Sequence, residues 1–153
     1  MNMNRRDVLA AVLSVPLLGV GSSCVRAERI GVYSPGGMAI GGFDPVAYFD
    51  EGRAVQGRAR HMLKWHGTTW VFASAANQEA FEMNPAAYAP QYGGFCALSV
   101  SNGGTVDAEP RVWAIVEGRL YLFYSERAHS VWNQAVPEHI RRADAHWSAM
   151  SGD

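Results

Sequence analysis

The chain is poor in cysteine, in clustered positive charge and in long apolar runs. Each shortage excludes something. Its 153 residues include 2 cysteines, Cys24 and Cys96, too few for the disulfide framework that staples small secreted domains. Lys and Arg number 13 against 14 Asp and Glu, for a formal net charge of -1. Basic residues adjoin only in the first few positions and at Arg141-Arg142. Phosphate contact needs a clustered positive surface, so nucleic-acid binding is unsupported. No apolar run reaches the ~20 residues that span a bilayer as a helix. G-x-S-x-G, H-E-x-x-H and phosphate-loop motifs are missing too, and with them any direct sign of the chemistries they carry.

What is present is an ordinary globular composition, 48% hydrophobic and 18% charged. A chain of this length forms one domain that buries roughly two-thirds of its unfolded surface without staples. No internal repeat and no low-complexity segment is apparent.

The first segment reads as an address. Asn4-Arg5-Arg6-Asp7 precedes an apolar run from Val8 to Val20, broken by Ser14, Pro16 and Gly19. A charged start, a short apolar centre and small residues make residues 1–27 a secretory signal peptide. Adjacent Arg5-Arg6 resembles a twin-arginine signal, although Asn4 and Val8 stand where Ser or Thr and Phe are usual. An ordinary signal peptide is the alternative. Val25-Arg26-Ala27 fits a cut before Glu28, which would leave Cys96 as the only thiol and exclude an internal disulfide. Gly21-Ser22-Ser23-Cys24 is a rival, lipoprotein-like box, with Cys24 as the lipidated residue. Either route implies the periplasm, with no span of the membrane in the mature form.

Past this segment, Asp44 is placed to cap a short helix that Pro45 opens and Gly52 ends. Arg58 to Trp65 and Thr68 to Ala73 flank His66-Gly67, a two-residue hairpin turn. That register pairs Trp65 with Thr68, Leu63 with Trp70 and His61 with Phe72, which puts His61 on an apolar, core-facing side. Ser74 caps a helix to about Met83, Asn84-Pro85 stops it, and Pro85 to Ala89 adds one more turn. Gly93-Gly94 permits a sharp bend or a close approach. Phe95 to Val100 is expected to be a strand with Cys96, Leu98 and Val100 on one face. Val112 to Val116 and Arg119 to Phe123 form a second hairpin about Glu117-Gly118, with Trp113, Ile115, Leu120 and Leu122 on its core face. Ser125 caps a further helix, and Pro137 opens a last one through His146-Trp147. The expected fold is α+β: a small antiparallel sheet of two hairpins and a further strand, packed with several short helices.

These residues resemble the YHS domain family. Its short form runs D-P-V-C-G-M, then Y-x-F-C-S-x-x-C-x-x-x-F and N-P-x-x-Y. The counterparts are Asp44-Pro45-Val46, Trp70 to Ser74, Phe81 and Asn84 to Tyr88. The long secreted bacterial forms are closer still, through Asp44 to Phe49, Tyr88 to Cys96 and the tail Arg142 to Trp147. The resemblance implies one YHS-like domain over residues 28–153 with a C-terminal helical extension. It also implies metal handling, with copper as the first candidate. The family's cysteine positions are Ala47, Ala73 and Asn77 here, none of them a soft-metal ligand.

A site rebuilt around Cys96 is the remaining expectation. Cys96 and His61 would supply soft donors for copper or zinc, with Asp44 or Tyr48 nearby. A buried cysteine acting as a small hydrophobe, and Asp44 acting only as a cap, are the plain alternatives. His139 and His146 share a helix face but sit ~10.5 Å apart along the axis, too far to share one metal. Together with His129 they read as surface or packing residues. Three functions stay open. One is an exported module that holds or delivers a metal ion, with that ion or an unidentified periplasmic protein as its partner. Another is an enzyme with Cys96 as nucleophile and His61 as base. The third is a ligand-free interaction domain.

Overall fold

The structure is a computed structural model that describes residues 30–152. The N-terminal address, its alternative cut sites and Cys24 lie outside the described residues. The fold is α+β, with two separate antiparallel hairpins rather than one sheet. In order, it runs through helix α1 (Ala47–Asp50), strands β1 (Arg58–Trp65) and β2 (Thr68–Phe72), and helices α2 (Ala75–Met83), α3 (Pro85–Tyr88) and α4 (Ala97–Ser101). Strands β3 (Glu109–Val116) and β4 (Arg119–Phe123) follow, then helices α5 (Glu126–Trp132) and α6 (Val136–Ser151).

Local signals place most of these elements. Ser74 Oγ accepts from Asn77 N and caps α2, and Ser125 Oγ accepts from Ala128 N and caps α5. His66 and Gly67 have φ of 49° and 75°, as a two-residue turn of this hand requires. Trp65 faces Thr68 and Leu63 faces Trp70, as the turn dictates.

Two expectations fail. A bulge between Arg58 and Met62 shifts the register, so Arg58 rather than His61 opposes Phe72. An extra residue on one strand breaks the pairing beyond it, and His61 ends half-buried outside both hydrophobic clusters. The expected strand from Phe95 to Val100 is helix α4 with Cys96 at its N-cap. Its apolar residues fit helical spacing as well, and the only ladder contact is an isolated bridge from Cys96 to Leu122.

A third expectation, the lack of a repeat, is overturned by the backbone. Adding 51 to each residue number (58 to 109, 72 to 123) carries every pair of the β1–β2 register onto β3–β4, bulge included. Among the described residues, four non-glycine positions have positive φ, and they form two related pairs. His66 and Glu117, at 49° and 50°, begin the hairpin turns; Ile40 and Tyr92, at 45° and 56°, precede Gly41-Gly42 and Gly93-Gly94. The Asp44 amide donates to Val55 O, and the Cys96 amide to Val106 O. Both hairpins lead into a Ser-capped helix, then one with proline in its first turn. The chain therefore builds one plan twice: a glycine-pair turn, a short helix, a bulged hairpin and two helices.

The cores follow that plan. In the first half Phe81 lies 5.0 Å from Trp70 and 5.2 Å from Phe72, ring centre to ring centre. In the second, Trp132 lies 5.4 Å from Tyr121 and 5.6 Å from Phe123. The halves interlock through β4. Leu120 and Leu122 join the first cluster while Tyr121 and Phe123 join the second. Thus β4 is buried on both faces, beyond the single core face expected, and Ile115 stays 37% exposed.

Candidate functional site

The four residues expected around a metal are not gathered. Asp44 is fully buried, and both its carboxyl oxygens are committed. Oδ1 accepts from Val46 N at 2.8 Å and Ala47 N at 3.4 Å, and Oδ2 from Ala73 N at 2.8 Å and Asn77 Nδ2 at 2.7 Å. It begins α1 as the cap reading had it, and it also ties that helix to the end of β2 and to α2. Tyr48 Oη donates to Pro110 O at 2.8 Å. Burial, more than the nearby Glu109 charge, pushes this phenol's pKa well above its ordinary value, so it stays protonated. Cys96 is fully buried in the second cluster among Tyr92, Val100, Tyr121 and Trp132. His61 lies on β1, where its Nε2 accepts from Arg60 Nε at 3.1 Å.

This donor set does not fit a metal ion. Asp44 has no uncommitted oxygen, Tyr48 keeps its proton, and Cys96 sits in hydrocarbon. Among the described residues, no group of three or more His, Cys, Asp or Glu could hold a metal. Ala47, Ala73 and Asn77 do converge, since all three donate to the Asp44 carboxylate. The place where short members of the resembled family carry cysteine is therefore a real cluster, filled here by a hydrogen-bond network. The tail histidines pack: His129 stacks on Phe123, His139 stacks on Trp132, and His146 Nδ1 lies 3.0 Å from Val100 O.

A different site opens where the halves meet. A cleft of about 640 Å³ lies between the β1–β2 turn, the segment from Ala89 to Gly93, helix α6 and residues Ile30 to Val32. That volume falls within the range of small-molecule sites, which favour such junctions. Trp65, Trp70, Tyr92 and Trp147 supply its aromatic walls. Trp65 and Trp70 meet edge to face at 5.7 Å, and Trp70 Nε1 donates to Trp65 O. Across the cleft, Trp147 lies 6.2 Å from the Tyr92 ring. Gly93 permits this closeness: with φ at 61°, a Cβ there would stand 2.6 Å from Gly31 O and 3.0 Å from Trp147 Cη2.

The polar side is equally defined. Tyr92 Oη donates to Asp144 Oδ1 at 2.8 Å. Burial first, then this bond, raises the Tyr92 pKa far above the usual phenol value. Asp144 and Trp147, three residues apart, share one face of α6. His66 also lines the cleft, its ring tilted against Trp65 with centres 3.9 Å apart.

Trp70 lies in the first cluster with Trp65 packed against it, and His66 forms the turn, as the sequence indicates; that they also line a cleft with Asp144 and Trp147 of the tail is not indicated there. The i, i+3 pairing of an acid with an indole was the one local signal for the cleft. Its partners lie more than fifty positions away in the chain.

A family model, the YHS domain, matches residues 46–92. No curated protein and no solved structure matches the chain. The matched span contains β1 to α3 and reaches Tyr92 at the cleft. The second half, with the same plan, lies outside it.

Proposed function

We propose, starting from the match of residues 46–92 to the YHS domain, that the protein is an exported binding module, not an enzyme, that takes a small organic ligand in the cleft between its halves. The observation that carries this reading is the cleft itself, a junction of about 640 Å³ lined by the half-buried Trp65 and Trp147 and by the buried Trp70 and Tyr92. Export is supported by Arg5-Arg6 and the short apolar run after it. Among the described residues, no helix is long and apolar enough to cross a membrane. A catalytic role is disfavoured because the Cys96 thiol is fully buried, whereas a nucleophile must reach its substrate.

The competing ion-carrier reading draws on the family, whose short forms are linked to metal. It would need Cys96 and His61 to leave their present surroundings and meet. One experiment separates the two. Tryptophan emission of the purified protein is followed during titration with a library of small aromatic and aliphatic compounds, and metal content is measured on the same material. Saturable quenching that Trp147→Ala removes is the expected result. Stoichiometric copper or zinc that Cys96→Ala abolishes, with no response to organic compounds, would replace this reading with the ion carrier.

A further inference from the structure

We infer that the cleft selects an organic cation, an ammonium group carried on a small apolar body, with Asp144 as its counter-charge. This rests on the cleft being the ligand site. Charge decides the sign of the ligand. Among the described residues, Asp144 is the only acidic one lining the cleft, and neither Lys nor Arg lines it. Arg119, over the Tyr121 ring at 5.8 Å, is not part of the wall. No ion pair within 4.0 Å engages Asp144 among the described residues, unlike Glu138 on the same helix, which pairs with Arg141. Its Oδ1 accepts a hydrogen bond from Tyr92 Oη, a neutral donor that leaves the negative charge in place.

The walls favour the same ligand. Indole faces carry negative quadrupole potential, and a cation within ~6 Å of a ring centre is attracted to it. Trp65 and Trp147, both half-buried, line the space that Asp144 borders, while Trp70 is only 1% exposed. An anionic ligand would meet the carboxylate and the ring faces with like charge. A neutral one would draw no attraction from the Asp144 carboxylate, which is exposed.

The test compares choline with dimethylbutanol, its uncharged carbon isostere, by calorimetry on the purified protein at low and high salt. Choline is expected to bind about 10-fold more tightly, with the preference shrinking as salt rises. Asp144→Asn keeps an acceptor for Tyr92 Oη but removes the charge. It should bring choline to the level of the isostere and leave the isostere unchanged. Equal binding of the two probes by the unmodified protein, lost in Trp147→Ala, would overturn the cation inference and keep the cleft. Binding of either probe that is indifferent to both Asp144→Asn and Trp147→Ala would overturn both. Binding of neither would overturn the cation inference.

Discussion

The two halves of this molecule share a backbone plan and differ in what occupies one related position. In the first half Asp44 follows a glycine pair and a phenylalanine, and its carboxylate gathers α1, β2 and α2 through four hydrogen bonds. In the second, Cys96 follows Gly93-Gly94-Phe95 and contributes a buried sulfur to an apolar cluster. The polar atoms are distributed accordingly. Tyr48 Oη of the first half has its acceptor, whereas Tyr121 Oη and Trp132 Nε1 of the second are buried with no partner among the described residues. The first half is tied by polar contacts. The second is filled by rings and leaves two donors unpaired. A backbone plan therefore does not prescribe how its junctions are held.

Substitution can sharpen or break this comparison. The largest effects are expected at the ring triangles. Phe81→Ala and Trp132→Ala should each cost about 3–5 kcal/mol in urea unfolding, as loss of a buried aromatic does. A large disparity would mean that the triangles are not equivalent in energy. Next, Asp44→Ala should cost about 3 kcal/mol or more, because buried amides lose their acceptor. Cys96→Ala should cost about 1–2 kcal/mol, a packing loss alone. Equal losses would erase the distinction between junctions.

The smallest effects concern the phenols. Tyr48→Phe should cost about 1 kcal/mol by breaking its bond to Pro110, while Tyr121→Phe should be neutral or stabilising by a similar amount. These groups also set an alkaline limit. Burial raises the pKa of Tyr48 and Tyr92 above the unfolded value of ~10, favouring the neutral form in the folded state. Their stabilising contribution is full below pH ~10 and is lost as pH rises through the folded values. Thermal midpoints should fall above pH ~10, less steeply in Tyr48→Phe and Tyr92→Phe. An unchanged alkaline limb in both variants would show that other groups govern it.

Much of the fold was legible because it depends on short-range chemistry. His66-Gly67 and Glu117-Gly118 mark tight turns, Ser74 and Ser125 cap helices, and Pro85 restarts one. Each acts on neighbours a few positions away. The strand expected at Phe95 to Val100 failed because five or six alternating apolar residues also fit a helical turn. The repeat was hidden because the halves keep few identities, chiefly the Gly-Gly-Phe turn, Gly67 with Gly118, Phe72 with Phe123 and Ser74 with Ser125. Elsewhere rings exchange for rings, as Phe81 does for Trp132, and the backbone keeps what the letters do not.

The candidate site was far less legible. His61 looked core-facing until a bulge, set by how β1 meets β2, took it out of register. The cleft joins Trp65 to Trp147 through the docking of α6, and no local pattern encodes that distance.

By itself, the order of residues determined the turns, the caps, the helix breaks and the match of residues 46–92 to a family model, since each rests on contacts or motifs within a short span. Tertiary structure alone decided that Asp44 is a hub, that Cys96 is sealed, and that Tyr92 and Trp65 line one cleft with Asp144 and Trp147 of α6. Those outcomes depend on how two similar halves pack across β4, which side chains far apart in the chain settle jointly.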